Sequence, residues 1–496
     1  MSLTWLFEVP NENHNHLAVI VSLLLVGAAG VLRLLAARGD LWLDEIVSLL
    51  LVSQQESPWT ILTEWRQETN HVLASWVMFA WGGDATVWQL RLPAVVAGTA
   101  AVPVAGLIGA RRSRLEAVLA MLLVGGSYVL IHYSSEARGY AYVMLFSLLS
   151  FHLLAKAMEG GSRWWGLLFA VVAVCGFLAQ LTYLYCYIAL GVWSVWHLAA
   201  RPAPMGTMAR QLLVWHALPS GFLAWFYYVN IRHMTSTGGP SIDVADVIVE
   251  TLSLGQGGPE SGALAIVIAG AALAAVVAGL VLVRAEGADS WIFFAGAIVV
   301  IPAVLMLVLR REEIYPRYFV VSLTFLLLLE SRLLAWLFQR GRLAKAAVVV
   351  ALGGYLVGNA VHTMRLMEVG RGDYTAWLAF LEQQTDAPLA TLASDHDQRH
   401  LVVLGFARQR GETAKEMIYF RRGEWPAEGP QWLLAHSLRR DPQAPDEVTT
   451  PTGMRYELVG EFPFAGLSGW HELVYRRVTG LQRSSAAGGQ TSRQSP

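Results

Sequence analysis

Apolar runs about as long as a bilayer is thick recur from Leu17 to His362, separated by short polar knots. A hydrocarbon core of about 30 Å takes about 20 helical residues to cross, so the pattern predicts about eleven transmembrane helices. They are expected over residues 17–36, 92–110, 115–131, 140–158, 164–180, 183–200, 211–229, 263–283, 291–309, 318–338 and 344–361. Around Gln180 the run is almost unbroken, and only its length demands a turn.

The polar segments carry their own patterns. Residues 37–90 form a first loop too long to be a mere connector. Within it Ser53-Gln54-Gln55-Glu56-Ser57-Pro58 reads as one helix ending and another starting, and Trp59, Ile61, Leu62 and Trp65 fall at helical spacing, as in a helix lying along a membrane surface. A second loop, residues 234–262, has Gly-rich flanks around an amphipathic stretch at 242–254 and is either a lid or a plain connector.

Beyond residue 365 the chain turns polar. Strand-like Leu389-Ala390-Thr391-Leu392, Met417-Ile418-Tyr419-Phe420, Gln431-Trp432-Leu433-Leu434 and Leu473-Val474-Tyr475 alternate with helical stretches at 374–382 and 399–408. The expected organisation is a polytopic α-helical membrane domain (1–365), a small soluble α/β domain (366–480) and a disordered tail (481–496).

Composition supports an integral membrane protein: 55% of the 496 residues are hydrophobic, 15% are charged, and the mean hydropathy is +0.45. A net charge of −1 gives no reason to expect a nucleic-acid partner. Basic clusters at Arg111-Arg112-Ser113-Arg114, Lys156 with Arg163, Arg201 with Arg210, Arg284, and Arg332 with Arg340, Arg342 and Lys345 all fall on one side of an eleven-span arrangement. The positive-inside rule makes that side cytoplasmic and the C-terminal domain extracytoplasmic. Arg33 and Arg38, at the outer end of the first span, run against it. Without a basic n-region or a small-residue cleavage site, the first span reads as a retained helix. Cys175 and Cys186 lie inside apolar runs and read as buried packing residues rather than a disulfide.

Three polar knots carry candidate chemistry, all expected on the external side. The first is Leu41-Trp42-Leu43-Asp44-Glu45, just past the first span. A partly desolvated carboxylate at a bilayer rim is a candidate general base for an alcohol, although an N-cap with a first-turn acid explains the same residues. Adjacent helical residues diverge by about 100°, so one of the pair reacts and the other supports. Asn70-His71 shares this loop. In the second knot, Tyr133-Ser134-Ser135-Glu136-Ala137-Arg138-Gly139-Tyr140, Arg138 suits a phosphate and Glu136 an orienting, metal-holding or hydroxyl-binding role. A mutual surface ion pair is the plain alternative. The third knot, Arg310-Arg311-Glu312-Glu313-Ile314-Tyr315-Pro316-Arg317-Tyr318, places Arg317 where a lipid phosphate would lie, with ordinary headgroup anchoring as the alternative. No nucleotide loop and no zinc-like Cys/His spacing occurs, and Asp395-His396-Asp397 reads as solvated loop chemistry.

Together with Asn70-His71, Arg91-Leu92-Pro93-Ala94 and Pro316-Arg317-Tyr318-Phe319, these strings resemble the lipid-linked-sugar glycosyltransferases of the GT-C type. The closest likeness is to the bacterial branch related to protein O-mannosyltransferases and lipid A aminoarabinose transferases. It covers the first 160 residues well and the remainder loosely. Val72-Leu73 stands where relatives have prolines after the histidine, and Gly139 where they often have proline.

The resemblance implies inverting transfer from a polyprenyl-phosphate sugar to a glycan, lipid or protein acceptor outside the cytoplasmic membrane. Asp44 would take the acceptor proton, Arg138 and Arg317 would bind the donor phosphate, and Glu45 and Glu136 would organise the site. Asn70, His71, Tyr140 and Tyr318 would contact substrate. Relatives differ over a divalent cation; Mg²⁺ or Mn²⁺ would fall to Asp44 and Glu136. Two other readings stand beside this one. A transporter or flippase would use ionisable groups at mid-bilayer, for which His132, His152, His197 and His216 are the mild hints. A non-catalytic scaffold would act through the outer domain.

Overall fold

The computed structural model describes residues 12–67, 69–160, 162–201, 204–235, 242–309, 314–440 and 442–478. Residues 236–241, the run Arg310-Arg311-Glu312-Glu313 and the tail from 479 lie outside them. The chain divides into two compact units after Arg371.

Each expected apolar run of the first unit forms a helix, yet fewer than eleven reach the length and composition of a span. Among the described residues eight do: His16–Ala36, Val87–Ala110, Tyr140–Met158, Met205–His233, Ala263–Ala285, Trp291–Val308, Pro316–Phe338 and the long helix that starts at Arg342; a bent pair raises the number to nine. The bent pair is Arg114–Gly126 and Tyr128–Ser134, set at 60°. At the break the Tyr128 N–H donates to Asn359 Oδ1 at 2.6 Å, so a second helix starts without an orphaned buried donor.

Around Gln180 the demanded turn is present. Gln180 is extended (φ −167°, ψ 146°) and separates Arg163–Ala179 from Tyr183–Ala199. Each has 17 residues, about 25 Å of helix, which is why the count falls short of eleven. The turn is tight because the Tyr183 ring packs where a side chain on Gly176 would stand, 2.5 Å from its Cβ position.

In the first loop, helices Leu43–Ser53, Pro58–Thr63 and Val72–Trp81 follow one another. The Thr60 N–H donates to Ser57 Oγ at 3.2 Å, capping the middle helix at the expected place. Ile61, Leu62 and Trp65 are buried, but Trp59 of the same stripe is exposed and lies 6.0 Å from the Trp225 ring.

The amphipathic stretch of the second loop is helix Val244–Gly255. It packs against Ala263–Ala285 and the 3₁₀ turn Pro316–Phe319. Just after it Gln256 Nε2 donates to Glu330 Oε1 at 2.8 Å, and Gly258 O lies 2.8 Å from His362 Nε2. Those contacts hold the end of the amphipathic stretch against the helical unit.

The second unit, from Gly372, holds a six-stranded sheet: β1 (Leu389–Ser394), β2 (Glu416–Tyr419), β3 (Trp432–Ser437), β4 (Glu447–Thr449), β5 (Arg455–Phe462) and β6 (His471–Arg477). The order is β2-β1-β3-β6-β5-β4, with β1 parallel to β2 and β3 and the other pairs antiparallel. Helix Asp397–Gln409 forms the crossover from β1 to β2, while Tyr374–Gln384 precedes the sheet. Ala393, Leu433, Tyr456, Leu473 and Tyr475 form a buried cluster on it. Strands β4 and β5 were not expected; β4 has only three residues, two of them exposed, and the alternation of β5 is interrupted by a register shift between Leu458 and Gly460.

Candidate functional site

One end of the helical unit gathers the C-terminal end of the first span, the first loop, the turn between Ser134 and Tyr140, and the start of Pro316–Phe338. The acidic pair lies here in the first turn of Leu43–Ser53, after Trp42 at the N-cap. Glu45 occupies the third helical position and accepts the Trp42 N–H at 3.1 Å, the carboxylate half of a capping box. The capping explanation therefore belongs to Glu45, not to Asp44.

Glu45 is fully buried and does more than cap. Arg91 grips it at two points, Nε to Oε1 at 2.9 Å and NH2 to Oε2 at 2.5 Å, and the Ala137 N–H donates to Oε1 at 2.6 Å. The same guanidinium donates to Ala37 O at 3.0 Å, Gly39 O at 3.1 Å and Asp40 O at 2.6 Å. It thus satisfies carbonyls left open where the first helix ends. In the sequence the signal for Arg91 is a lone charge near the start of an apolar helix, the kind that persists only when paired.

Asp44 points elsewhere. Its Oδ2 lies 3.6 Å from Arg138 NH2 and 3.7 Å from Arg317 NH1, and its side chain keeps 21% of its exposure. Both separations exceed hydrogen-bond length, so the carboxylate is held by charge between two guanidiniums without a direct hydrogen bond to either. Arg138 is anchored independently, its NH1 donating to Asp44 O at 3.1 Å and Ser48 Oγ at 3.2 Å. Burial opposes its charge, but the Tyr140 phenol and the Asp44 carboxylate outweigh that and raise the guanidinium above its ordinary pKa. Its Nε is buried with no hydrogen-bond partner. Arg317 lies over the Tyr315 ring at 4.3 Å and near that of Tyr318 at 5.8 Å, which holds the head with little direct bonding.

Asn70 and His71 are both buried, and their bonds knit the loop together. Asn70 Nδ2 donates to Ile61 O at 2.7 Å and Trp65 O at 3.2 Å, while its Oδ1 accepts from Ser75 Oγ at 3.0 Å. His71 Nδ1 accepts the Gly139 N–H at 2.6 Å. Burial first, then the charges of Arg138 and Arg317, hold the imidazole well below its ordinary pKa, so it is neutral with its proton on Nε2. Tyr140 is buried, with the His71 ring set edge-on to it at 5.1 Å and Arg138 over its face at 5.9 Å.

Glycine is required at 139. A Cβ there would stand 2.1 Å from Ala179 O and 2.8 Å from His71 Nδ1. Proline would also delete the N–H that His71 accepts.

Glu136 does not pair with Arg138. It is fully buried, with Oε1 accepting from Arg371 Nε at 3.2 Å and lying 3.2 Å from His132 Nε2. Arg371 had no signal in the sequence beyond a charge between two glycines at the end of a long helix. Two guanidiniums face Asp44 and a third faces Glu136, so both carboxylates are already compensated and fit a divalent cation poorly. Among the described residues no group of three His, Cys, Asp or Glu side chains could hold a metal ion.

Two of the other candidate histidines have local partners. His216 Nε2 lies 2.9 Å from Ser194 Oγ, and His197 pairs with Asp289. Cys175 and Cys186 are free thiols. In the second unit Asp395 pairs with His436 at 2.9 Å, whereas Asp397 accepts from Tyr419 Oη at 2.7 Å, so Asp395-His396-Asp397 does not converge as one ligand set. No protein-family model matches the chain, and no curated protein matches it.

Proposed function

We propose that the chain is an inverting glycosyltransferase that moves a sugar from a polyprenyl-phosphate donor to an acceptor at the outer face of a cytoplasmic membrane. The observation that carries this reading is the partly exposed Asp44 carboxylate between Arg138 and Arg317. Among the directly paired groups, Glu45 is matched by Arg91 and Glu136 by Arg371, while two guanidiniums share Asp44. The surplus positive charge thus lies where the site opens, and an anionic headgroup complements it. The resemblance of the polar strings to GT-C enzymes supports the same reading.

In this reaction an acceptor hydroxyl oxygen forms a bond to the anomeric carbon of the sugar as the bond from that carbon to the lipid phosphate oxygen breaks. The bonding pair leaves with the phosphate, where Arg138 and Arg317 meet the growing negative charge. Asp44 receives the hydroxyl proton. Since neither guanidinium is hydrogen-bonded to the Asp44 carboxylate at rest, a phosphate can recruit both without breaking a hydrogen bond to the base. The positive-inside pattern supports an external position for the site and the C-terminal unit, where that unit would meet the acceptor.

The test is transfer by purified protein supplied with polyprenyl-phosphate sugars. Wild type should release polyprenyl phosphate with formation of a glycosylated acceptor, and Asp44→Asn should lose turnover while retaining lipid-phosphate binding. Full turnover in Asp44→Asn would remove Asp44 as the base, and movement of substrate across the bilayer without covalent transfer would favour a transporter.

A further inference from the structure

The turn that delivers Arg138 is pinned from three separate parts of the chain. Ala137 N–H is held by Glu45, Gly139 N–H by His71, and the Glu136 carboxylate by Arg371. Arg371 is the last residue before the second unit, and its side chain is almost wholly buried. Its guanidinium spends donors in three directions: Nε to Glu136, NH1 to Ala36 O at 3.1 Å, and NH2 to His132 O at 2.8 Å and Ser135 Oγ at 2.7 Å. It therefore ties the end of the first span, the end of Tyr128–Ser134 and the turn into one body.

We infer that Arg371 is a positioning residue for the phosphate-binding arginine, and that Glu136 is its counter-charge rather than a group that meets substrate. The inference rests on the glycosyltransferase reading above. Glu136 is fully buried, its charge is taken up by Arg371, and its position two residues before Arg138 fixes where the Arg138 backbone starts. A planar fork satisfies a carboxylate, two carbonyls and a hydroxyl at once. Lysine offers three donors on a flexible stem, and glutamine two. The arrangement also makes the residue that begins the link to the second unit part of the rigid shell of the site.

The experiment uses the full chain in lipid nanodiscs and reads two quantities, binding of sugar-free polyprenyl phosphate and thermal unfolding. Wild type should bind polyprenyl phosphate more tightly than polyprenol, and Arg138→Ala should abolish that preference; if either fails, the functional reading falls before Arg371 is tested. Arg371→Met removes the buried guanidinium that faces Glu136, so it should weaken both binding and stability. The double variant Arg371→Gln/Glu136→Gln leaves no uncompensated charge and should recover most of the stability. Its binding should remain weaker than wild type by about tenfold, because one amide cannot hold three elements together. Arg371→Lys should bind with intermediate affinity, and the transfer defect of each variant should appear mainly in KM for the donor. Wild-type binding by the folded double variant would overturn the positioning role. Glu136→Gln that binds polyprenyl phosphate normally yet transfers no sugar would overturn the counter-charge role.

Discussion

Glu45 and Arg91 form a two-point ion pair with both side chains fully buried, 46 residues apart in sequence. It joins the first-loop helix to the second span and, through Ala137, to the turn that carries Arg138. Its neighbour Asp44, one residue away, belongs to a different set of contacts. Breaking a buried pair from one side leaves an uncompensated charge and typically costs about 3–5 kcal/mol. Glu45→Gln and Arg91→Met are each expected to lower the unfolding midpoint strongly, whereas Asp44→Asn should shift it little; calorimetry of the three variants in one detergent checks this.

Gly139→Ala is expected to destabilise the helical unit by about 1–3 kcal/mol, the usual range for forcing a group into a packed interior. The added carbon would meet a backbone carbonyl, Ala179 O, which cannot rotate away as a side-chain tip can. Gly139→Pro should be worse, since it also removes the donor to His71. Expression level and unfolding midpoint, measured for both, give the order.

The neutral His71 predicts a sign for pH dependence. Its folded pKa lies well below the ordinary value of 6.5, so the unfolded chain binds the extra proton first as pH falls. Stability from this residue is complete above about 6.5 and declines below it. His71→Asn supplies an acceptor near the Nδ1 position and should keep the fold while flattening that slope. His71→Ala leaves the Gly139 N–H unmet, at a cost of about 1–3 kcal/mol. Unfolding midpoints between pH 5 and 8 separate the variants.

His400 predicts the opposite slope in the second unit. Burial pushes its pKa down, but the charge and 2.9 Å hydrogen bond of Glu472 push it up further, so the folded value lies above 6.5. Its contribution is complete below the ordinary value and is lost as pH rises through the folded one. Asp395, held below its ordinary pKa against its burial by the hydrogen bond and charge of His436, contributes above 3.8 and is lost only in acid. Protease resistance of the C-terminal unit, followed upward from pH 6, should fall in wild type and stay level in His400→Gln.

Much of the helical architecture was legible because it depends on local quantities. Run length and hydropathy located every helix of the expected spans, and the Ser57-Pro58 start was readable from capping chemistry. The count of spans was less legible, since 17 residues on either side of Gln180 stand at the lower limit of what crosses a bilayer. Strands β4 and β5 escaped because β4 is only three residues long and a register shift between Leu458 and Gly460 breaks the alternation of β5.

For the site, the sequence by itself determined that Asp44, Glu45, Glu136, Arg138 and Arg317 stand at helix ends, because a charge can be placed there without being stranded in hydrocarbon. It also determined that Asp44 and Glu45 diverge, since neighbours on a helix cannot share a direction. Which arginine answers which carboxylate was a tertiary decision. Glu136 meets Arg371 from 235 residues away, Glu45 meets Arg91, and Asp44 lies between Arg138 and Arg317 with part of its side chain exposed. Pairing of buried charges depends on distances between helices that only the packed bundle sets, and no local pattern encodes them.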